Sequence, residues 1–517
     1  MSDAYADRVD AATDGRWWQS LAYSAMGIGV LVAFFGVVNF LNWVGLSSSV
    51  GSVGLVTLYG IGLAWAGAVT VGVGLGSARG LFDTNPAPQT GSIAGAFTGL
   101  TTFVIVGLVV SQTLGLGGVA WFLPALVLGV LAFAATSVAP EDLGSTLPWG
   151  GLALLTAVVF LSGTISTGWD WGPTGFGFAF TGRVVIPSLA IIVGLLVAWA
   201  ATKTALGFGA RGRESAANLL IGANAFFMLG LLLLLVLFIV EKGAPAALEG
   251  AHLGPGLSVH LPFLTNGGGL GVEVKGVFPA LVGTFWLVFG AILFAVPLGV
   301  GAAIYLSEYA TRGRFTAIVD TTTDGLWSTP SIVYGLFGYA FLVPRLGNHQ
   351  SILAGMLVLG FMLIPLVLIT SREAIQSVPD PYRDASAALG VTKWQTIRSV
   401  VIPAALPGII TGIILGVGRI AGETAPLLFV AAGGLNGKAV DIIGSFHFTG
   451  SAPFVANDAL LSPTNALPYQ IYAVIEAGVG GSEQFGWGTA FVLLVLVLCF
   501  YLVGIATRLY FRDKLQQ

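Results

Sequence analysis

An arginine and a glutamate, Arg419 and Glu423, stand four residues apart inside the apolar run at 404–430 of this 517-residue chain. A charged side chain near the centre of a bilayer costs about 2.5–3.5 kcal/mol on insertion scales, so each charge needs a compensating purpose. The i, i+4 spacing predicts one helix face for both, close enough to neutralise each other. Two chemistries fit. A structural ion pair would fix helix packing; alternatively, the planar fork of guanidinium donors contacts an oxyanion while the carboxylate tunes its availability. Gly416, Gly418 and Gly422 are expected to leave space beside that face.

The segment before this run, 371–403, reads as helix, glycine break, helix. Asp380-Pro381 predicts a helix start, with an N-cap side chain followed by a proline at the first helical position. Tyr382, Ala385, Ser386 and Leu389 recur at helical spacing, which gives a short helix one small, mildly apolar face. Gly390 suits the left-handed conformation that ends such a helix. Thr392 and Gln395 offer a capping box for the next one. A short helix of this kind can lie in a groove of a partner, although an amphipathic interfacial loop would carry the same signals.

Other polar residues are expected to be structural. Asp320, Asp324 and Thr321–Thr323 read as caps and interfacial groups at the start of a helix. His252, His260, His349 and His447 fall between apolar segments, and no pair has the H-x-x-x-H spacing of a metal site. The nearest approach to a phosphate-binding loop, Asn436-Gly437-Lys438-Ala439, has Ala432 where the first glycine belongs and alanine where Ser or Thr belongs. No cofactor is expected on this chain.

The elements that must position these groups are membrane helices. Apolar residues make up 56% of the chain and charged residues 9%, with a mean hydropathy of +0.90, which places it among all-α polytopic membrane proteins. Twelve apolar segments are long enough to span or nearly so, at 21–44, 53–75, 92–114, 119–139, 148–165, 184–204, 216–240, 278–304, 326–344, 351–370, 404–430 and 489–510. The period-two alternation of a membrane β-barrel is missing.

The first residues, Met1–Ser20, carry Asp3, Asp7, Asp10 and Asp14 and lack the basic start of a secretory signal. With the N-terminus placed in the cytoplasm, interior segments hold fifteen of the 21 basic residues (Arg8, Arg16, Arg79, Lys203, Arg211, Arg213, Arg312, Arg314, Arg372, Arg383, Lys393, Arg398, Arg508, Arg512 and Lys514). Exterior segments hold only Arg183, Lys242, Lys275, Arg345 and Lys438. That asymmetry predicts both termini in the cytoplasm. Trp17, Trp18, Trp43 and Trp286 read as interfacial anchors near helix ends. A net charge of −3 gives no reason to expect a nucleic-acid partner. The lone Cys499 permits no disulfide within the chain.

A polar connection, Gly207–Ser215, divides the chain into an N-terminal region at 1–210 and a second region at 211–517. Each is expected to hold about six helices, the first with almost no intramembrane charge. Val184-Val185-Ile186-Pro187 echoes Val400-Val401-Ile402-Pro403, but Thr174 stands where a matching glycine would be needed. The echo is read as accidental.

The coupling loop of ABC import permeases carries E-A-A, three residues, glycine, nine residues, I-x-L-P. The segment Asp384-Ala385-Ser386, Gly390 and Val400-Val401-Ile402-Pro403 resembles it with every spacing kept. Ala295-Val296-Pro297-Leu298-Gly299, Tyr305-Leu306-Ser307-Glu308-Tyr309, Pro330-Ser331-Ile332-Val333-Tyr334-Gly335 and Arg419–Leu428 extend the likeness, in order, to the PstA family of phosphate permeases. The resemblance implies a type I ABC-importer permease domain at 211–517, non-catalytic, with 371–403 as its coupling loop. It implies Arg419, Glu423 and Thr424 in the substrate pathway. It implies Asp384, Ala385, Ser386, Gly390, Ile402 and Pro403 in contact with an ATPase.

The implied partners are a PstC-like second permease, a PstB-like ATPase dimer that uses the ATP, a PstS-like phosphate-binding protein outside, and membrane lipid. The first 210 residues lie outside the resemblance and are expected to be accessory. Competing readings are the sister subunit PstC, a molybdate or sulfate permease, a secondary transporter, and a scaffold or sensor. A secondary transporter would need related halves, whereas these differ in loop length, charge and motif.

Overall fold

The computed structural model describes residues 17–173, 177, 179–253, 259–267, 276–311, 313–432, 438–451, 454–479 and 481–516. The acidic stretch through Asp14, together with Arg8, Arg16, Thr174, Lys275, Arg312 and Asn436-Gly437, lies outside the described residues. The chain forms two compact units, Met1–Leu231 and Leu232–Gln517.

The first unit contains α1 (Trp17–Phe40), α2 (Leu55–Ala78), α3 (Ser92–Leu108), α4 (Phe122–Val138), α5 (Leu147–Leu161) and α6 (Gly182–Ala205). Apolar length forces these segments into helices, because hydrocarbon offers the backbone no other hydrogen-bond partner. Small residues then let the helices approach closely. A Cβ on Gly29 of α1 would come within 2.8 Å of the Gly194 carbonyl oxygen of α6, and one on Gly194 within 2.7 Å of the Gly29 oxygen. Ala25, Leu63, Ala153, Ile186 and Ala190 form the core between α1, α2, α5 and α6. The helix α7 (Gly209–Ala247) runs through the boundary at Leu231.

Charge in the first unit stands at helix ends, beside loops. Glu141, Asp142 and Lys203 are all buried there. One carboxylate oxygen of Glu141 accepts from the amides of Ala87 at 3.0 Å and Gly209 at 3.1 Å, and from Arg213 at 3.0 Å. Asp142 accepts from Ser77 Oγ at 3.1 Å, and the Lys203 ammonium lies 4.1 Å from the centre of the Trp199 ring. These charges are sequence neighbours of loops, so the apolar runs on either side conceal them.

The second unit contains α8 (Phe278–Ile304), α9 (Arg314–Ser328), α10 (Ser331–Phe337), α11 (Ile352–Gln376), α12 (Asp380–Ala388), α13 (Ile402–Ala421), α14 (Ala425–Val430), α15 (Leu467–Ile475) and α16 (Glu483–Gln516). Its core gathers around α11, where Ile352, Leu359 and Leu363 meet Leu287 of α8 and Ile420 of α13. Trp286 lies well inside α8 rather than at its end.

Among the described residues, ten helices are long and apolar enough to cross a membrane, and a bent pair makes an eleventh candidate. The segment expected at 119–139 is the shorter helix α4. The protein is a multi-pass membrane protein. Two expected single spans are broken. The segment at 326–344 belongs to Arg314–Ser328 plus Ser331–Arg345, bent by 101°, because Pro330 disfavours helical geometry at Thr329. Tyr334 Oη donates to the Leu326 carbonyl at 2.9 Å across that bend, satisfying one acceptor of the last α9 turn. The run at 404–430 stops at Ala421 and restarts at Ala425. Pro426 has no amide hydrogen for the Gly422 carbonyl, which breaks the ladder there.

Candidate functional site

Local sequence builds the segment 380–403 much as its caps dictate. Helix α12 starts one residue earlier than expected, with Pro379 as N-cap and Asp380 already helical, so Asp380 does not cap through its side chain. Asp380 instead accepts from Arg383 at 3.3 Å. Gly390 follows the helix at φ +73°, a left-handed conformation that glycine adopts without a Cβ penalty. Thr392 and Gln395 form the expected capping box. A π-helical turn, Ile397–Val401, then leads into α13, which begins at Ile402 and Pro403.

The short helix presents an open apolar face. Tyr382, Leu389 and Trp394 are exposed, as are Asp384 and Ala385, whereas Ser386 is buried and its hydroxyl donates to the Tyr382 carbonyl at 3.1 Å. The face away from solvent is anchored by Arg383. Its guanidinium donates to Glu308 at 2.9 and 3.2 Å, to the Val378 carbonyl at 2.6 Å and to the Ile375 carbonyl at 3.0 Å. This arrangement can rest a small helix against a partner while its root stays fixed.

The intramembrane charges are arranged differently from the sequence expectation. Arg419 sits in the last turn of α13, but Glu423 lies beyond the helix end, and the structure holds no ion pair between them among the described residues. The expected shared helix face is lost to the break that Gly422 and Pro426 impose. Arg419 instead stacks its guanidinium 4.3 Å from the centre of the Trp327 ring. Stacking engages the face of the cation, so the five in-plane N–H groups keep their donor capacity. Thr424 is the N-cap residue of α14 and makes no side-chain cap there. The room expected beside Gly416 and Gly418 is filled by Leu363 and Tyr501, whereas Gly422 faces open space. Arg419, Glu423 and Thr424 thus gather around one helix break, and Trp327 joins them from the bent pair.

Asp320 also departs from expectation. It lies in the middle of α9, where it pairs with Arg372 of α11. A helix-start reading fails because α9 begins at Arg314, six residues sooner. Trp327, Glu308 and Arg372 were the polar and aromatic contributors that spacing along the chain did not reveal. Glu308 at least stood within a recognisable motif, Tyr305–Tyr309. His252 and His260 are paired across two antiparallel strands of two residues each, with rings 4.9 Å apart and nearly parallel. Among the described residues no group of three His, Cys, Asp or Glu side chains has the arrangement of a metal site.

The family described as "Binding-protein-dependent transport system inner membrane component" matches residues 295–512. The chain is similar to the "Phosphate transport system permease protein PstA" of Haemophilus influenzae, 36% identical over 47% of this chain and 78% of that protein. It is 32% identical to the PstA of Yersinia pestis over 59% of this chain and 92% of that protein. It is 36% identical to PstA 1 of Mycobacterium tuberculosis (strain H37Rv) over 45% of this chain and 70% of the relative. Among solved structures, an inward-facing MetNI methionine ABC transporter chain aligns at a TM-score of 0.35 and 19% identity, covering 46% of this chain and 95% of that one.

Proposed function

The chain belongs to the PstA family of phosphate-transport permeases, and from that premise we propose that it forms half of the translocation pathway of an ATP-driven importer for inorganic phosphate. It performs no covalent chemistry; the ATP is hydrolysed by a separate subunit. A PstC-like permease supplies the other half of the pathway, a PstB-like ATPase dimer receives α12, and a PstS-like protein delivers the anion from outside. Both termini lie in the cytoplasm, which fits the distribution of Lys and Arg along the chain.

In this reading Tyr382, Leu389 and Trp394 enter the ATPase groove, Tyr382 from the helix that Asp384, Ala385 and Ser386 help to form, Leu389 from its C-cap and Trp394 from the turn beyond Gly390. Gly390, Ile402 and Pro403 set the angle at which that helix leaves the membrane. ATP-driven closure of the ATPases rocks α12 and switches access to the pathway from outside to inside. Arg419 offers its free donors to a phosphate oxygen, with Thr424 and Glu423 beside the open space at Gly422. The first unit is accessory to the pathway.

The observation that carries the reading is the kept spacing from Asp384 to Pro403, folded as helix, left-handed glycine, helix, with its apolar face exposed. Affinity purification from native membranes tests it first, with an ATPase and a second permease expected in the complex. Reconstituted into vesicles, that complex is expected to take up radiolabelled phosphate only with ATP and binding protein. Uptake driven by an ion gradient without ATP would overturn the reading, and uptake of molybdate or sulfate in preference to phosphate would reassign the substrate.

A further inference from the structure

Three charged side chains converge where α8 ends. The last residues of that span form a π-helical turn, Tyr305–Tyr309. Within it the Glu308 side chain is only 9% exposed and pairs with Arg383 of the coupling helix, which is 23% exposed. Arg383 does not stop at Glu308. Its remaining donors take the Val378 and Ile375 carbonyls that follow and end α11. Lys393, on the other side of Gly390, donates to the Glu308 backbone carbonyl and lies 5.0 Å from the centre of the Tyr309 ring.

One residue of the turn that ends the α8 span is therefore held from both sides of the glycine break, and one arginine ties that turn, the end of α11 and α12 together. A fork of donors to a carboxylate and two carbonyls resists rotation far better than a single contact does. Neighbouring segments lack such ties: Tyr382, Leu389 and Trp394 reach outward into solvent. Among the described residues, force applied to those three side chains has polar routes into the spans through Arg383 and Lys393, to Glu308 at the end of the α8 span and to the Ile375 and Val378 carbonyls at the end of α11.

We infer that Glu308, with Arg383 and Lys393, is the joint that makes the coupling helix and the end of α8 move as one body. These are positioning residues: none touches the transported anion or ATP. The inference rests on the coupling role proposed above for α12, and it adds which side chains transmit the motion.

The test uses the assembled complex with its ATPase. Glu308→Gln keeps the volume and an acceptor oxygen but removes the charge, and is expected to raise the ATP hydrolysed per phosphate imported by about tenfold, within the range of coupling free energies between sites. Arg383→Gln should do the same. The double variant should be no worse than either single one, because both remove one shared interaction. Lys393→Met, at an exposed position, leaves assembly intact and is expected to give a smaller rise. An unchanged ratio in all of these variants, or strictly additive losses in the double variant, would overturn the joint.

A second arm reads motion without relying on the substrate. In a Cys499→Ser background, spin labels at Ala387→Cys on α12 and Leu293→Cys on α8 report their separation in nucleotide-free and vanadate-trapped complexes. The joint predicts one shared distance distribution in both states, and a different or broader one once Glu308→Gln is added. Labels that separate in the parent protein, or that behave identically with Glu308→Gln, would contradict it. Should the parent complex hydrolyse ATP yet import no phosphate, the substrate reading falls, while this arm still decides the joint.

Discussion

Glu141 of the first unit and Arg419 of the second are held in opposite ways, the one buried and the other exposed. In the first, Glu141 brings three donors to one carboxylate oxygen, two of them backbone amides from different connections and the third from Arg213. That oxygen is satisfied where it stands and fastens the start of α7, while the second carboxylate oxygen is buried without a hydrogen bond. In the second unit Arg419 has a ring against its face, and no hydrogen bond or ion pair among the described residues. A polar group whose partners come from its own fold is explained by the fold. Arg419 is exposed on this chain, so its open donors can be reached by a partner from elsewhere. The contrast sets a structural knot beside the proposed anion-binding group within one chain.

The largest expected effect lies at Arg419. Arg419→Gln should abolish phosphate uptake in vesicles while complex yield stays near that of the parent, because no ion pair is broken. Loss of assembly instead would make Arg419 resemble Glu141 and erase the contrast. Next in size is Gly390→Val. A β-branched residue resists φ +73° at a cost of roughly 1–2 kcal/mol, so α12 should tilt and uptake should fall about tenfold in membranes that still contain the complex. Normal uptake would remove 380–403 as the coupling element.

Glu141→Gln sharpens the comparison from the other side. The amide group loses the charge that Arg213 faces, and it presents a weaker acceptor to the two amides. An unmet buried hydrogen-bonding group costs about 1–3 kcal/mol, and Arg213 is half exposed, so water recovers part of that. A lowered Tm of the purified complex is expected, with uptake per assembled complex unchanged. Reduced uptake at unchanged Tm would give the first unit a part in transport. The smallest effect is expected at Trp327. Trp327→Leu removes a cation–π contact of about 0.5–2 kcal/mol, which should raise the apparent KM for phosphate several-fold with little change in maximal rate, and Trp327→Phe should recover most of it. A collapse in maximal rate without a KM effect would mean that the indole does not hold the arginine.

Much of this was legible in the chain, for reasons that differ by residue. Apolar length located the spans, because a run of roughly twenty such residues has one outcome in a bilayer. Gly390, Thr392 and Gln395 were readable because caps act over four residues or fewer. Pro330 and Pro426 were visible too, yet hydropathy averages over them, and so two bent or broken elements passed as single helices. The partner of Arg419 was not readable at all. Glu423 is its neighbour in sequence, and Trp327 is its neighbour in space, brought there by a turn of 101° that no local pattern announces. Glu141 was hidden likewise, since its three donors come from two distant stretches, the connection at Ala87 and the start of α7 at Gly209 and Arg213.

The most direct measurement of the central claim is phosphate uptake by the double variant Arg419→Gln/Glu423→Gln, read against its yield of assembled complex. A free, anion-serving Arg419 predicts parental yield with no uptake, in Arg419→Gln and in the double variant alike. Uptake restored by the double change would show that the two charges serve only each other, and would contradict the account.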